Sequence, residues 1–119
     1  MQSEISNIAK WPEELDALVA APEHHTLLME NDSVRVIATL ILPGQITRVH
    51  THKWPASLYI ISWSDFIRYD AEGNIMVDSR KLPQTPEPST AVWSGPLQPH
   101  ALENIGEKNI HIISVEIKM

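Results

Sequence analysis

The feature that most limits the fold of this chain is its division, from His24 onward, into short period-two segments cut by turn-forming residues. Residues alternating at period two place their side chains on opposite faces of a strand. His25–Glu30 reads as a strand ended by the turn signal Asn31-Asp32-Ser33. Val34–Leu42 is rich in β-branched residues, puts Val34, Val36, Ala38, Leu40 and Leu42 on one face, and stops at Pro43-Gly44. Ile46–His52 follows and is broken by Lys53-Trp54-Pro55; Ser57–Ser62 is a further apolar strand. Phe66–Asp70 and Asn74–Ser79 flank Ala71-Glu72-Gly73, which reads as a hairpin with glycine at the positive-φ position. Leu82–Ser89 carries three prolines and must be a loop. Ala91–Ser94, His100–Ile105 and Asn109–Ile117 complete a series of nine short strands. Such spacing predicts an all-β sandwich or barrel and argues against a βαβ fold.

A chain of 119 residues suits one domain and is too short for two separate cores. The barrel is expected over residues 24–119, behind an N-terminal helical segment over 1–23. In that segment Pro12–Ala21 has the marks of a helix: proline at the first position, then Glu13 and Glu14 at the positive end of the dipole. Its stripe of Leu15, Leu18 and Val19 is expected to pack on the domain or on a partner subunit. Cysteine is absent, so disulfides and thiolate ligands are excluded.

The net charge is −6, and the two signs are mixed along the chain without a basic patch. Nucleic acids and anionic membrane surfaces are therefore not the expected partners. The first residues lack a positive region followed by an apolar one, and no apolar run approaches the roughly 20 residues that span a bilayer. The expected location is the cytoplasm.

Six histidines carry the chemical signal. His50 and His52 stand two apart on a strand, so both imidazoles share a face and suit one metal ion bound through neutral ring nitrogens. Gly44 lies six residues before His50, and far downstream His100 is followed by Asn104. This pattern, Gly44-x5-His50-x-His52 and later His100-x3-Asn104, resembles the two sequence motifs of the cupin superfamily. The resemblance covers about Val34 to Ile117 and implies a cupin-type β-barrel, or jelly roll, of the small single-domain kind.

By that resemblance His50, His52 and His100 match three histidine ligands of a divalent metal inside the barrel. The family's glutamate is missing, because Ala56 and Ser57 occupy its expected place, and Gly95 and Leu97 stand where the second motif has Pro-x-Gly. Three neutral imidazoles offset none of a divalent charge, so zinc, nickel or iron(II), which accept imidazole well, fit better than a hard ion. Three protein ligands also leave positions open for water or substrate. The expected function is a small cupin holding a divalent metal beside a small organic ligand, with oxygenase or isomerase chemistry if it is an enzyme. The alternative is a metal-free, non-catalytic binding or sensing cupin whose histidines are hydrogen-bonded in the barrel interior.

Other residues divide between pocket and packing. Trp54, just beyond His52, and Tyr59 are candidate pocket residues, as binding sites are mostly apolar; Trp63 and Trp93 fit better as core or interface. Arg48, two residues before His50, is expected to share its face and to meet a substrate carboxylate or a structural acid such as Glu103 or Glu116. Glu103 and Gln98 are possible stand-ins for the missing ligand. His24 and His25 are expected at the surface, and His111 as a satisfied core or barrel-wall residue rather than a ligand. A homodimer is expected from the resemblance and from the prevalence of two-fold pairs.

Overall fold

The computed structural model describes residues 11–118. Residues 1–10 of the expected N-terminal segment lie outside that range. Among the described residues there are nine strands: β1 (His25–Glu30), β2 (Val34–Ile41), β3 (His50–His52), β4 (Ala56–Ser62), β5 (Phe66–Asp70), β6 (Ile75–Asp78), β7 (Ala91–Ser94), β8 (Leu97–Asn104) and β9 (Ile110–Ile117). They form a five-stranded sheet ordered β1-β2-β9-β4-β7 and a four-stranded sheet ordered β3-β8-β5-β6. Every ladder between named strands is antiparallel. The two sheets enclose one interior, the architecture of a jelly roll.

Alternation along β2 left two faces, and the one carrying Val34, Val36, Ala38 and Leu40 points outward. Arg35, Ile37, Thr39 and Ile41 are buried instead. An inward arginine is tolerated because two carboxylates meet it: Arg35 Nε lies 2.8 Å from Glu116 Oε1, and Arg35 Nη2 lies 2.8 Å from Asp16 Oδ1. Glu116 stands directly across the ladder from Arg35. Along β9 the inward residues run Ile110, Ile112, Ser114, Glu116. The interior thus grades from an apolar end, where Ile41, Ile60, Phe66, Ile110 and Ile112 form the core, to a charged end. Burying a large aliphatic side chain stabilises by about 1.5–3 kcal/mol, so this cluster holds the sheets together.

The expected continuous helix Pro12–Ala21 is not formed. A 3-10 turn at Glu13–Leu15 and a single helical turn α1 (Ala17–Ala20) are separated by Asp16, whose backbone is extended (ψ 141°). Asp16 is drawn out of helical geometry by three engagements. Its carboxylate caps Leu18 N at 3.1 Å, it holds Arg35, and its backbone bridges to Thr51. The residues buried here are Asp16, Ala17 and Ala21, whereas Val19 of the expected apolar stripe is 61 % exposed.

The hairpin β5–β6 forms as the sequence indicated, with Gly73 at φ +86° in its turn. The expected third strand shrinks to β3, and its earlier part contributes only the bridge Ile46–Glu103. Asn104 is fully buried and acts as a clasp: Nδ2 donates to the carbonyls of Ile41 and Lys108, and Oδ1 accepts from Gly106 N–H. Among the described residues no helix is long and apolar enough to cross a membrane.

Candidate metal centre

Four histidines meet inside the barrel. His50 pairs with His100 across the β3–β8 ladder, and β3 also carries His52. His25 enters from β1 of the other sheet. Ring centroids lie 4.4 Å apart for His50–His100, 4.6 Å for His25–His50, 4.9 Å for His50–His52 and 5.3 Å for His25–His52. The surface position expected for His25 is corrected: it is 4 % exposed. Pro22 ends the N-terminal segment and β1 begins at His25, so the chain turns this residue inward at the first strand position. One nitrogen from each of His25, His50 and His52 lies within 4.8 Å of the others. His100 stands beside this trio, nearest to His50.

All four rings are oriented alike. Nδ1 contacts the carbonyl of Ala21 at 2.9 Å in His25, of Arg48 at 2.8 Å in His50 and of Gln98 at 2.6 Å in His100. In His52 it contacts Glu116 Oε2 at 3.1 Å. These oxygens only accept, so each Nδ1 carries the proton and donates it. Each neutral ring therefore keeps an unprotonated Nε2 with its lone pair free. A hydrogen bond on the second nitrogen, to a carbonyl or carboxylate, is the usual support of a metal-bound imidazole.

Burial keeps His25, His50 and His100 neutral. Desolvation, with the repulsion of His52, pushes His25 down to about 4. Desolvation pushes His100 down to about 3, although its bond to the Gln98 carbonyl opposes this. His50 is driven lower still, by burial and by His100, His52 and His25 around it. Lone pairs on these rings are thus available at neutral pH. The donor set fits a borderline transition ion that accepts imidazole.

The carboxylate absent from the first motif is not replaced by Glu103 or Gln98. Glu103 accepts from Tyr69 Oη at 2.6 Å, and Gln98 is exposed. Glu116 is the acid at the site. Arg35 and His52 hold it ionised against a burial that would otherwise raise its pKa. It acts through His52 and binds Arg35 on its other oxygen. Its inward position was legible from parity, since His111, Ile113 and Val115 share the outward face of β9.

The histidines open onto a cavity of about 300 Å³, at the lower end of the range for small-molecule sites. Trp54 lines it, and its ring also covers the charge network, with Arg35 Cζ 5.0 Å and Lys53 Nζ 4.5 Å from the ring centroid. Arg48 does not reach the cavity. Strand β3 begins only at His50, so the same-face rule does not extend to Arg48, whose side chain is 74 % exposed and pairs with Glu23. Tyr59 points outward, 46 % exposed, because Leu58 and Ile60 take the inward positions of β4. Residues not expected there line the cavity too: Trp63, Arg68, and Leu82 and Pro86 from the proline-rich loop. His111 lies half-buried in the barrel wall on the outer face, where it lines a shallow depression with His24.

This fold and this interior define a small cupin-type barrel. No protein-family model matches the sequence, and no curated protein does. Solved structures do match. A cupin domain from Bordetella pertussis Tohama I superposes with a TM-score of 0.63 at 17 % identity, over 80 % of this chain and 92 % of that one. An uncharacterised conserved protein with a double-stranded β-helix domain from Klebsiella pneumoniae gives 0.53 at 18 %, over 78 % and 74 %. The polyketide cyclase RemF from Streptomyces resistomycificus gives 0.52 at 16 %, over 82 % and 67 %. At these identities the likeness is one of fold, and the cupin fold expected from the two motifs is the fold of this chain.

Proposed function

We propose that the protein binds one divalent transition metal through its barrel histidines and holds a small organic molecule in the adjoining cavity. His25, His50 and His52 are the primary ligands, and His100 stands ready as the fourth. The observation that carries this reading is the common orientation of the four rings, with every Nδ1–H engaged by an acceptor and every Nε2 left free. A set of histidines serving only as packing would not need the same nitrogen free on each ring. Zinc, nickel or iron(II) fits the all-imidazole donor set.

A bound metal would supply Lewis acidity beside the cavity. The chain's own residues do the rest. Glu116, the Ala21, Arg48 and Gln98 carbonyls hold the rings in one tautomer. Trp54, Trp63 and Phe66 wall the cavity with apolar surface that excludes water. Oxygenase or isomerase chemistry on the bound molecule is the class this arrangement fits.

Calorimetric titration of chelator-treated protein with Zn²⁺, Ni²⁺ and Fe²⁺ tests the reading. One site per chain is expected for at least one ion, weakened at least tenfold in His25→Ala and His50→Ala. If none of the three ions binds stoichiometrically, the barrel is a metal-free binding module.

A further inference from the structure

We infer that the cavity takes an organic acid, and that Arg68 is the residue that binds its carboxylate. This rests on reading the cavity as a ligand site, but not on the metal. Arg68 sits on β5 between Leu102 of β8 and Val77 of β6. Its parity is that of the buried Phe66, so its side chain turns to the barrel interior and lines the cavity with His50 and His100. Its positive charge is felt by His100. Among the described residues no acid pairs with it, and its buried Nε has no hydrogen-bond partner. The guanidinium instead lies over an apolar ring, with Cζ 5.9 Å from the Phe66 centroid.

The acids near this part of the sheet are engaged elsewhere. Glu103 accepts from Tyr69, Asp78 holds Arg80 at 2.8 Å, and Asp70 accepts the backbone N–H groups of Glu72 and Asn74 in the hairpin turn. Glu116 is committed to Arg35 and His52. Arg35 shows what this chain does with an arginine that is structural: it surrounds the guanidinium with two carboxylates. Arg68 is half-buried, with its Nε shut off from solvent, and has no such provision. A desolvated guanidinium without a counter-charge is costly unless a ligand supplies one. A carboxylate matches its planar fork with two parallel hydrogen bonds.

A second donor stands in the same cavity. Trp63 Nε1 is buried and, among the described residues, has no acceptor. It offers a neutral N–H to a further acceptor atom of the same molecule. The remaining wall is apolar, with Phe66, Leu102 and Ile112. The ligand class is therefore a small acid with an apolar body, of single-ring or short branched-chain size.

The test uses benzoate, salicylate and 3-methyl-2-oxobutanoate, with benzamide as the neutral counterpart of benzoate. Binding to full-length protein is measured by calorimetry, metal-free and zinc-loaded, for the wild type and Arg68→Met. At least one acid is expected to bind saturably, with benzamide or the corresponding neutral amide at least roughly tenfold weaker. In Arg68→Met that preference disappears, while zinc stoichiometry is unchanged and the urea midpoint of the metal-free protein is equal to or above that of the wild type. The inference is overturned if no acid binds, if acid and amide bind equally, or if Arg68→Met keeps the preference. A lowered urea midpoint in Arg68→Met would also overturn it, because it would make Arg68 a structural group. Loss of zinc binding in the wild type would sink the metal reading and leave this one standing.

Discussion

Replacing Glu116 by glutamine should separate what this residue does for the fold from what it does for the histidines. The side chain is 1 % exposed, accepts Arg35 Nε at 2.8 Å on one oxygen and engages His52 Nδ1 at 3.1 Å through the other. Glutamine keeps the shape and removes the charge. Breaking a buried ion pair by neutralising one member costs about 3–5 kcal/mol. Here Arg35 keeps both bonds to Asp16, at 2.8 and 3.1 Å, so the loss should sit at the low end, about 3 kcal/mol. Against a total of roughly 5–15 kcal/mol the variant remains folded. The second effect falls on His52. A neutral amide oxygen is a weaker acceptor for Nδ1–H than a carboxylate, and losing such an outer partner typically lowers metal affinity about 10- to 100-fold. Urea denaturation of the metal-free protein reads the first effect. Competition for Zn²⁺ against a chromogenic chelator at pH 7.5 reads the second. Folded Glu116→Gln with zinc affinity within about twofold of wild type would refute the claim that this carboxylate prepares His52 for a metal.

The buried histidines make the metal-free protein acid-sensitive. Their folded values lie below the unfolded value of 6.5, at about 4 for His25 and about 3 for His100. The unfolded chain therefore takes up protons first as the pH falls. Stability is full above pH 6.5 and is lost below it, by about 2 kcal/mol for each of these two groups by pH 5. A urea midpoint unchanged between pH 7.5 and 5 would contradict the buried, neutral assignment. The expected homodimer is proposed to form on the outer face of the five-stranded sheet, where Leu28, Leu40 and Tyr59 are 53 %, 40 % and 46 % exposed. Sedimentation equilibrium should give twice the chain mass for the wild type and the monomer mass for Leu40→Lys/Tyr59→Lys; a monomeric wild type would remove the proposal.

What could be read in the sequence followed local rules. Turn chemistry at Asn31-Asp32-Ser33 and Gly73, and alternation through β5, β7 and β9, placed most strands within a residue or two. The meeting of His50, His52 and His100 was legible because two of them share a strand face and the third lies on a distant strand, although that strand begins at Leu97 and not at His100 as expected. Long-range partners were what local rules could not supply. Asp16 breaks an otherwise good helical pattern for the sake of Arg35, which is nineteen residues away. His25 looked like a surface residue beside His24, and only the packing of β1 on β2 turns it inward. Arg48 lies outside the cavity for a similar reason. The two-residue spacing Arg48–His50 implies a common face only inside a strand, and β3 starts at His50. Arg68 shares the parity of Phe66, but that no acid meets its guanidinium is a matter of position in space, which local rules do not give.

The most direct test of the metal centre is the metal content of untagged protein purified without chelator, determined by elemental mass spectrometry beside the His50→Ala/His52→Ala double variant. The account predicts about one transition-metal ion per wild-type chain and its loss from a variant that is still folded. No metal in the wild type, with reconstitution by zinc, nickel and iron(II) also failing, would contradict it.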